Sequence, residues 1–247
     1  VTKSEYHKSV GALRTKYQQS INDVFIWSSL AIEALEGALG DEALLTAKKF
    51  PVPSKKPEKK VNRTKEQVAK IVQNAKEHEL HKSIFSYLVA QVEAFLNEVL
   101  SLALRFDEKK LKTRIQGVDH IKKIDVNEVI DRPSRSELIE SLIEKELISL
   151  FYAAPTLQFQ YMEIVLDIEL EEDLKSSWIE IKASRDLLVH NSSLINRIYI
   201  KKAVDFARGS EGQKLIMDRN YMNESLANMK SLIGRISSRV QKNAKSA

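Results

Sequence analysis

The sequence predicts an all-α fold, on three observations. Glycine and proline number only seven and five in 247 residues. Apolar residues recur at spacings of three and four along most of the chain, while the strict alternation of a half-buried strand is nearly absent. Two of the periodic segments are preceded by Ser or Thr with Gln or Glu three places on, the signature of a capping box that satisfies the free N–H groups of a helix start.

The first helical segment is expected from about Lys3 to Lys49, with Val10, Leu13, Tyr17, Ile21, Val24 and Phe25 on its apolar stripe. Gly37 and Gly40 predict a break near its end. Phe50 to Asn62 carries Pro51, Pro53, Pro57 and many lysines, and reads as a loop or linker. Thr64 and Gln67 then cap a long helix reaching at least Arg105, with Val68, Ile71, Val72, Ile84, Phe85, Leu88, Val92, Phe95, Leu96, Val99 and Leu100 on its stripe. Gly117 to Pro133 is expected as a connection with a helical turn or two. Ser134 and Glu137 cap a helix to Ala153, which Pro155 ends. Thr156 to Leu170 is a shorter helical piece. Glu171, Glu172 and Asp173 open a helix to His190, where they face the positive end of its dipole. Asn191, Ser192 and Ser193 break it. A last helix runs from about Asp218 to Lys242. Three regions follow: residues 1–49, an N-terminal accessory helix or helices; 50–63, a Lys/Pro-rich linker; and 64–247, the main helical domain.

A chain of this length buries enough surface to fold without staples. It has no cysteine, which removes disulfides, thiolate zinc sites, iron–sulfur clusters and cysteine nucleophiles. The apolar stretches are too short for a bilayer, which needs about 20 residues. Val1 to Lys16 lacks the apolar core of a signal peptide. The expectation is a cytoplasmic protein with no membrane partner.

Net charge is +5, and its distribution is uneven. Eight bases face one acid from Lys48 to Lys65, and five bases face none after Glu224, while twelve acids face four bases from Asp131 to Glu180. Such a mosaic permits contact with nucleic acid without establishing it, and each cluster taken alone reads first as a solvated helix face or linker. There is no Walker-type loop, no GxGxxG and no HExxH. His78 and His81, with Glu77 and Glu79, lie on one helical stretch but read as a polar face, since no further metal ligands are placed. His7 and His120 read as surface residues.

One run stands apart: Arg185-Asp186-Leu187-Leu188-Val189-His190-Asn191. Five helical steps turn through about 140° and rise about 7.5 Å, so Arg185 and His190 share no face on a regular helix. They converge only if the last turn unwinds, which Asn191, Ser192 and Ser193 allow. By spacing alone the pair is also explained by a histidine capping a helix C-terminus. The wording of the run resembles the motif of the HEPN superfamily: an arginine, a polar residue, a few more residues and a histidine. Upstream, Tyr87 to Leu100 resembles the long helix that precedes the motif in that family, and downstream, Gly212 to Ile236 resembles its closing helix. The resemblance covers roughly Glu66 to Gln241 and leaves the first 60 residues unexplained.

The resemblance implies a HEPN-like up-and-down helical bundle with an additional N-terminal helical layer. It implies a metal-independent endoribonuclease without cofactor, leaving 2′,3′-cyclic phosphate and 5′-hydroxyl ends, with Arg185 and His190 catalytic. Histidine exchanges protons near neutrality, and arginine presents a charged planar fork to phosphate oxygens. Asp186 is a candidate to orient Arg185 or His190, Asn191 a candidate cap, and Glu93 a candidate partner of Arg185. The implied partners are RNA, a second copy sharing a composite site, and an antitoxin or regulatory protein. The expected setting is a toxin or an anti-phage effector. One branch of the family is controlled through a tyrosine two residues after the histidine; here that place is Ser192. A non-catalytic helical module binding a partner protein, nucleotide or nucleic acid remains the alternative. Tyr199, Phe206 and Arg197 are available for base contacts, at positions the sequence does not fix.

Overall fold

The structure is a computed structural model that describes residues 2–46, 48–53, 55, 60–121, 123–131 and 134–246. Lys56 to Lys59 of the expected linker and Arg132 and Pro133 of the expected connection lie outside the described residues.

Helix α1 spans Lys3–Gly40, opened by a capping box between Thr2 and Glu5. It ends at the expected break, and Asp41 caps the short α2, Glu42–Leu45. Strands β1, Lys48–Pro51, and β2, Lys60–Arg63, pair antiparallel with Phe50 opposite Val61, so the two ends of the linker segment are tied together. Thr64 caps α3, Lys65–Asn74, through the capping box with Gln67. A π-helical turn, Ala75–Glu79, joins it to α4, Leu80–Phe106. The extra residue of a π turn rotates the helix phase by about 100°. That rotation explains a departure from the sequence stripe: Ile71 is exposed while Val68 is buried.

Tyr6 stacks on Phe106, Tyr17 meets Glu98, Ser20 meets Gln91, and Lys76 pairs with Glu36, so α1 runs antiparallel to the long helix. Helix α10, Arg219–Ser246, also runs antiparallel to α1, with Lys230 near Asn22 and Gln241 near the His7 carbonyl. A methyl group at Gly11 would meet only the tip of the Gln241 side chain, at 2.9 Å from its Nε2. Tyr6, Val10, Tyr17, Ile21 and Val24 of α1 enter the main core with Phe85, Leu88, Phe95 and Leu96 of α4 and Met229, Leu232, Ile233 and Ile236 of α10. Burial of each large apolar side chain contributes about 1.5–3 kcal/mol. Phe25, expected on the stripe, is partly exposed, and Ile26, Trp27 and Leu30 are exposed beside it.

Past α4, a 3₁₀ turn and a connection lead to α5, Val126–Asp131, and Ser134 caps α6, Arg135–Tyr152. Pro155 is the first residue of α7, Pro155–Leu166, rather than the stop of α6; its missing N–H costs nothing at a helix start. Helix α8, Glu172–His190, follows, then the short α9, Arg197–Ala203, and α10. Helix α4 is the hub, packing against α1, α6, α7, α8 and α10. A window of the Lys65–Phe106 stretch is apolar and long enough to cross a membrane, but 56% of that window is buried inside the fold. Its apolar character is that of a central core helix.

His120 corrects the surface expectation. It is buried on the connection after α4, and its Nδ1 contacts Glu146 of α6, which is buried too. The Ile115 N–H donates to His120 Nε2 at 2.8 Å. The ring proton therefore sits on Nδ1, facing the carboxylate.

Candidate functional site

Helix α8 stays α-helical through His190 and stops there for a backbone reason. The N–H groups of Asn191 and Ser193 both donate to the Leu187 carbonyl at 3.0 Å, while Ser192 and Ser193 take positive φ values of 51° and 65°. The left-handed residues turn the chain away. The helix therefore ends at His190, at the break expected from Asn191 to Ser193, and its last turn does not unwind. Arg185 and His190 keep their angular separation on one helix.

The chain then makes a closed excursion. Leu194 bridges Lys214, the Ile195 N–H donates to the Gln213 carbonyl at 2.8 Å, and the Leu215 N–H to the Ser193 carbonyl at 2.7 Å. This strap carries α9, capped by Asn196, whose side chain accepts from the Tyr199 N–H at 2.9 Å. Ile195, Tyr199, Ala203 and Leu215 pack with Ala183 and Leu187 of α8 in a small second core.

Each candidate residue has a definite place. Arg185 Nη2 donates to the Glu93 carboxylate of α4 at 3.2 and 3.4 Å. Its Nη1 lies 3.3 Å from Asp186 Oδ1. Glu93 also receives Lys182 Nζ at 2.8 Å. Asp186 therefore serves Arg185 rather than His190, and its other oxygen lies 3.5 Å from Lys202 Nζ of α9. Asn191 works on the backbone: its N–H closes the last turn of α8 and its side-chain amide donates to the Leu194 carbonyl. His190 is exposed at the helix end, beyond this row of charges. The arrangement presents a fixed guanidinium on one part of α8 and an accessible imidazole at its tip.

Sequence reasoning missed Lys182 and Lys202. Lys182 stands one turn before Arg185, on the same face, and that spacing was the available signal. Lys202 carried no signal, because α9 spans only Arg197–Ala203 and was not foreseen. Of the residues the sequence left unplaced, Tyr199 is buried, Arg197 is exposed and paired with Glu211 at 3.0 Å, and Phe206 is partly exposed.

Beneath α9 lies a carboxylate that nothing in the sequence singled out. Glu180 is 2% exposed. It accepts from Ser184 Oγ at 2.6 Å, Tyr199 OH at 2.9 Å and Tyr221 OH at 3.0 Å. Arg208 Nε lies 3.6 Å away, its guanidinium over the Tyr221 ring at 3.8 Å. Burial first, then the Glu180 charge, pushes the Tyr199 phenol up to about 12 and Tyr221 well above its ordinary range. The network joins α8, the strap and α10 under the motif.

Among the described residues no cluster of His, Asp or Glu is arranged to hold a metal ion. Comparison of the chain with protein-family models, curated proteins and solved structures found no match, so the likeness to HEPN proteins rests on Arg185 to Asn191 and its flanking helices alone.

Proposed function

We propose that the chain is a HEPN-type endoribonuclease that cleaves RNA without a metal, as a homodimer with a composite site. The observation that carries this reading is the Arg185 guanidinium, held by Glu93 of α4 and Asp186 of α8, with an accessible His190 five residues on. In the reaction a ribose 2′-oxygen attacks the adjacent phosphorus, and the bond from phosphorus to the 5′-oxygen breaks. One imidazole takes the 2′-hydroxyl proton, and a second acid protonates the departing oxygen. Arginine stabilises the charge gathered on the pentacoordinate phosphate. Since Arg185 and His190 are about 140° apart around α8, the imidazole of a second copy, facing the first guanidinium, supplies the missing proximity. The bundle layout and the role as a toxin or anti-phage effector restrained by a protein partner belong to the same reading.

The test is incubation with single-stranded RNA in chelator, followed by analysis of the ends. Wild type is expected to leave 2′,3′-cyclic phosphate. His190→Ala should lose about 10²–10⁴-fold in rate, and Arg185→Ala about 10²–10³-fold. Equal cleavage by all three proteins sinks the reading.

A second reading, a non-catalytic docking module, is favoured by one feature: the exposed Ile26, Trp27 and Leu30 on α1. It wins if the wild type never cuts RNA and Trp27→Ala abolishes retention of a co-purifying protein.

A further inference from the structure

Five charged side chains form one unbroken row across the motif. Lys182 Nζ lies 2.8 Å from Glu93, Glu93 lies 3.2 Å from Arg185, Arg185 lies 3.3 Å from Asp186, and Asp186 lies 3.5 Å from Lys202. Cation and carboxylate alternate from α8 to α4, back to α8, and out to α9. The two carboxylates are unlike. The Glu93 side chain is 25% exposed and holds two cations, one of them, Lys182, only 13% exposed. The Asp186 side chain is 38% exposed. Arg185 lies as far from Asp186, at 3.3 Å, as from Glu93, at 3.2 Å, so what sets Asp186 apart is its greater exposure and the lack of a close second cation like Lys182 at 2.8 Å from Glu93. An anion arriving from solvent therefore competes with Asp186 for Arg185, while Glu93 keeps its grip from behind.

Lys202 stands on the far side of Asp186. Its helix is not a floppy arm. Asn196 caps it, Tyr199 anchors it on Glu180, and the backbone bonds at Ile195 and Leu215 close the strap beneath it. The backbone of Lys202 is thus held beside the motif, and Asp186 stands between its ammonium and Arg185.

We propose that Asp186 is a resident counter-ion filling the anion seat between Arg185 and Lys202, and that two neighbouring phosphates of single-stranded RNA displace it, one taken by Arg185 and the next by Lys202. The proposal rests on the ribonuclease reading for the identity of the polyanion. It makes α9 part of the substrate-binding surface and Lys202 a binding residue. It also gives the seat a threshold. A lone phosphate exchanges one ionic contact for another, whereas a strand makes two contacts at once, the second at high effective concentration. Short oligonucleotides are thereby preferred over mononucleotides.

The test is equilibrium binding of a 2′-O-methyl oligonucleotide, which cannot be cleaved, measured against salt concentration. Each phosphate neutralised on a single strand contributes about 0.7 to the slope of log affinity against log salt. Lys202→Met is expected to bind several-fold more weakly, with the slope reduced by about 0.7. Asp186→Asn is expected to bind several-fold more tightly. Lys230→Met, a charge lost where α10 faces α1, should leave the slope unchanged and controls for net charge. Thermal melts verify that each variant folds. A wild-type slope for Lys202→Met, or weaker binding by Asp186→Asn, overturns the proposal. Cleavage of ordinary RNA is followed in parallel. Cleavage with an unchanged slope for Lys202→Met removes this proposal and leaves the ribonuclease reading. A reduced slope without any cleavage does the reverse. Failure of the wild type to bind removes this proposal, and failure to cleave ordinary RNA as well removes both.

Discussion

The Glu93 carboxylate of α4 receives Arg185 Nη2 at 3.2 Å and Lys182 Nζ at 2.8 Å, so one side chain of the central helix fixes two cations of α8 a turn apart. The pair is half-buried, where a guanidinium freed from its partner drops into other rotamers. Glu93→Gln keeps the shape and removes the charge. The expected result is a fall in kcat of about 10–100-fold from misplacement of Arg185, with KM for RNA little changed. Single-turnover cleavage separates the two. A variant as fast as wild type shows that α8 orients Arg185 without help from α4.

Glu180 offers a test of the strap. Replacing it with Ala strands the hydroxyls of Ser184, Tyr199 and Tyr221 and leaves Arg208 with Glu224 alone. Each buried group left unpaired costs about 1–3 kcal/mol, so the sum is about 3 kcal/mol or more. For a chain of this size that lowers Tm by about 6–12 °C, at about 2–4 °C per kcal/mol. Tyr199→Phe should cost about 1 kcal/mol. Calorimetry on both variants is the check, and a Glu180→Ala melt at the wild-type temperature refutes the clamp.

The His120–Glu146 contact makes a prediction in coupling. His120→Leu leaves a buried carboxylate facing apolar carbon and should cost about 3–5 kcal/mol. Glu146→Leu leaves the Nδ1 proton of His120 unpaired. The double replacement should be less harmful than the sum of the two, with a coupling of about 1–3 kcal/mol. Additive losses in denaturant melts would show that the two side chains do not depend on each other.

His81 carries a pH dependence. It sits where α1, the π turn and the start of α10 meet, and its Nδ1 is buried without a hydrogen-bond partner. Burial, aided by His78 and Arg219, holds its pKa below the ordinary 6.5, against the Lys76 carbonyl and Asp218. The unfolded chain therefore binds the proton first as pH falls. Stability from this group is complete above pH 6.5 and is lost as pH drops through the folded-state value. Melting temperatures of wild type should fall on acidification from neutrality more than those of His81→Gln. Parallel curves for the two proteins over that range refute the assignment.

Much of the helical order was legible because period and caps act locally. Thr64 with Gln67 and Ser134 both cap the helices they were expected to cap, and Gly40 ends α1. Three features were not legible. A π turn leaves no mark in composition, so Ile71 was assigned to the stripe that its extra residue rotates away. The strands β1 and β2 are four residues each, too short for alternation to register. His120 looked solitary because Glu146 lies 26 residues away. At the candidate site, Glu93 and Arg185 were proposed partners and do meet, since each lies on a long helix whose face the pattern defines. Lys202 and Glu180 escaped notice because their roles depend on how the strap folds over α8.

The strap begins and ends at one point. The Ser193 carbonyl and the Leu215 N–H are a single hydrogen bond apart, so the chain leaves α8 and returns to nearly the same place. A segment with touching ends can be lengthened at its exposed turns without moving the helices on either side, because closure cost grows only slowly with loop length, provided Tyr199 and Arg208 keep their places on Glu180. Insertions at the exposed turns between residues 194 and 215 would alter what is held next to Arg185 and leave Glu93, Arg185 and His190 on their helices.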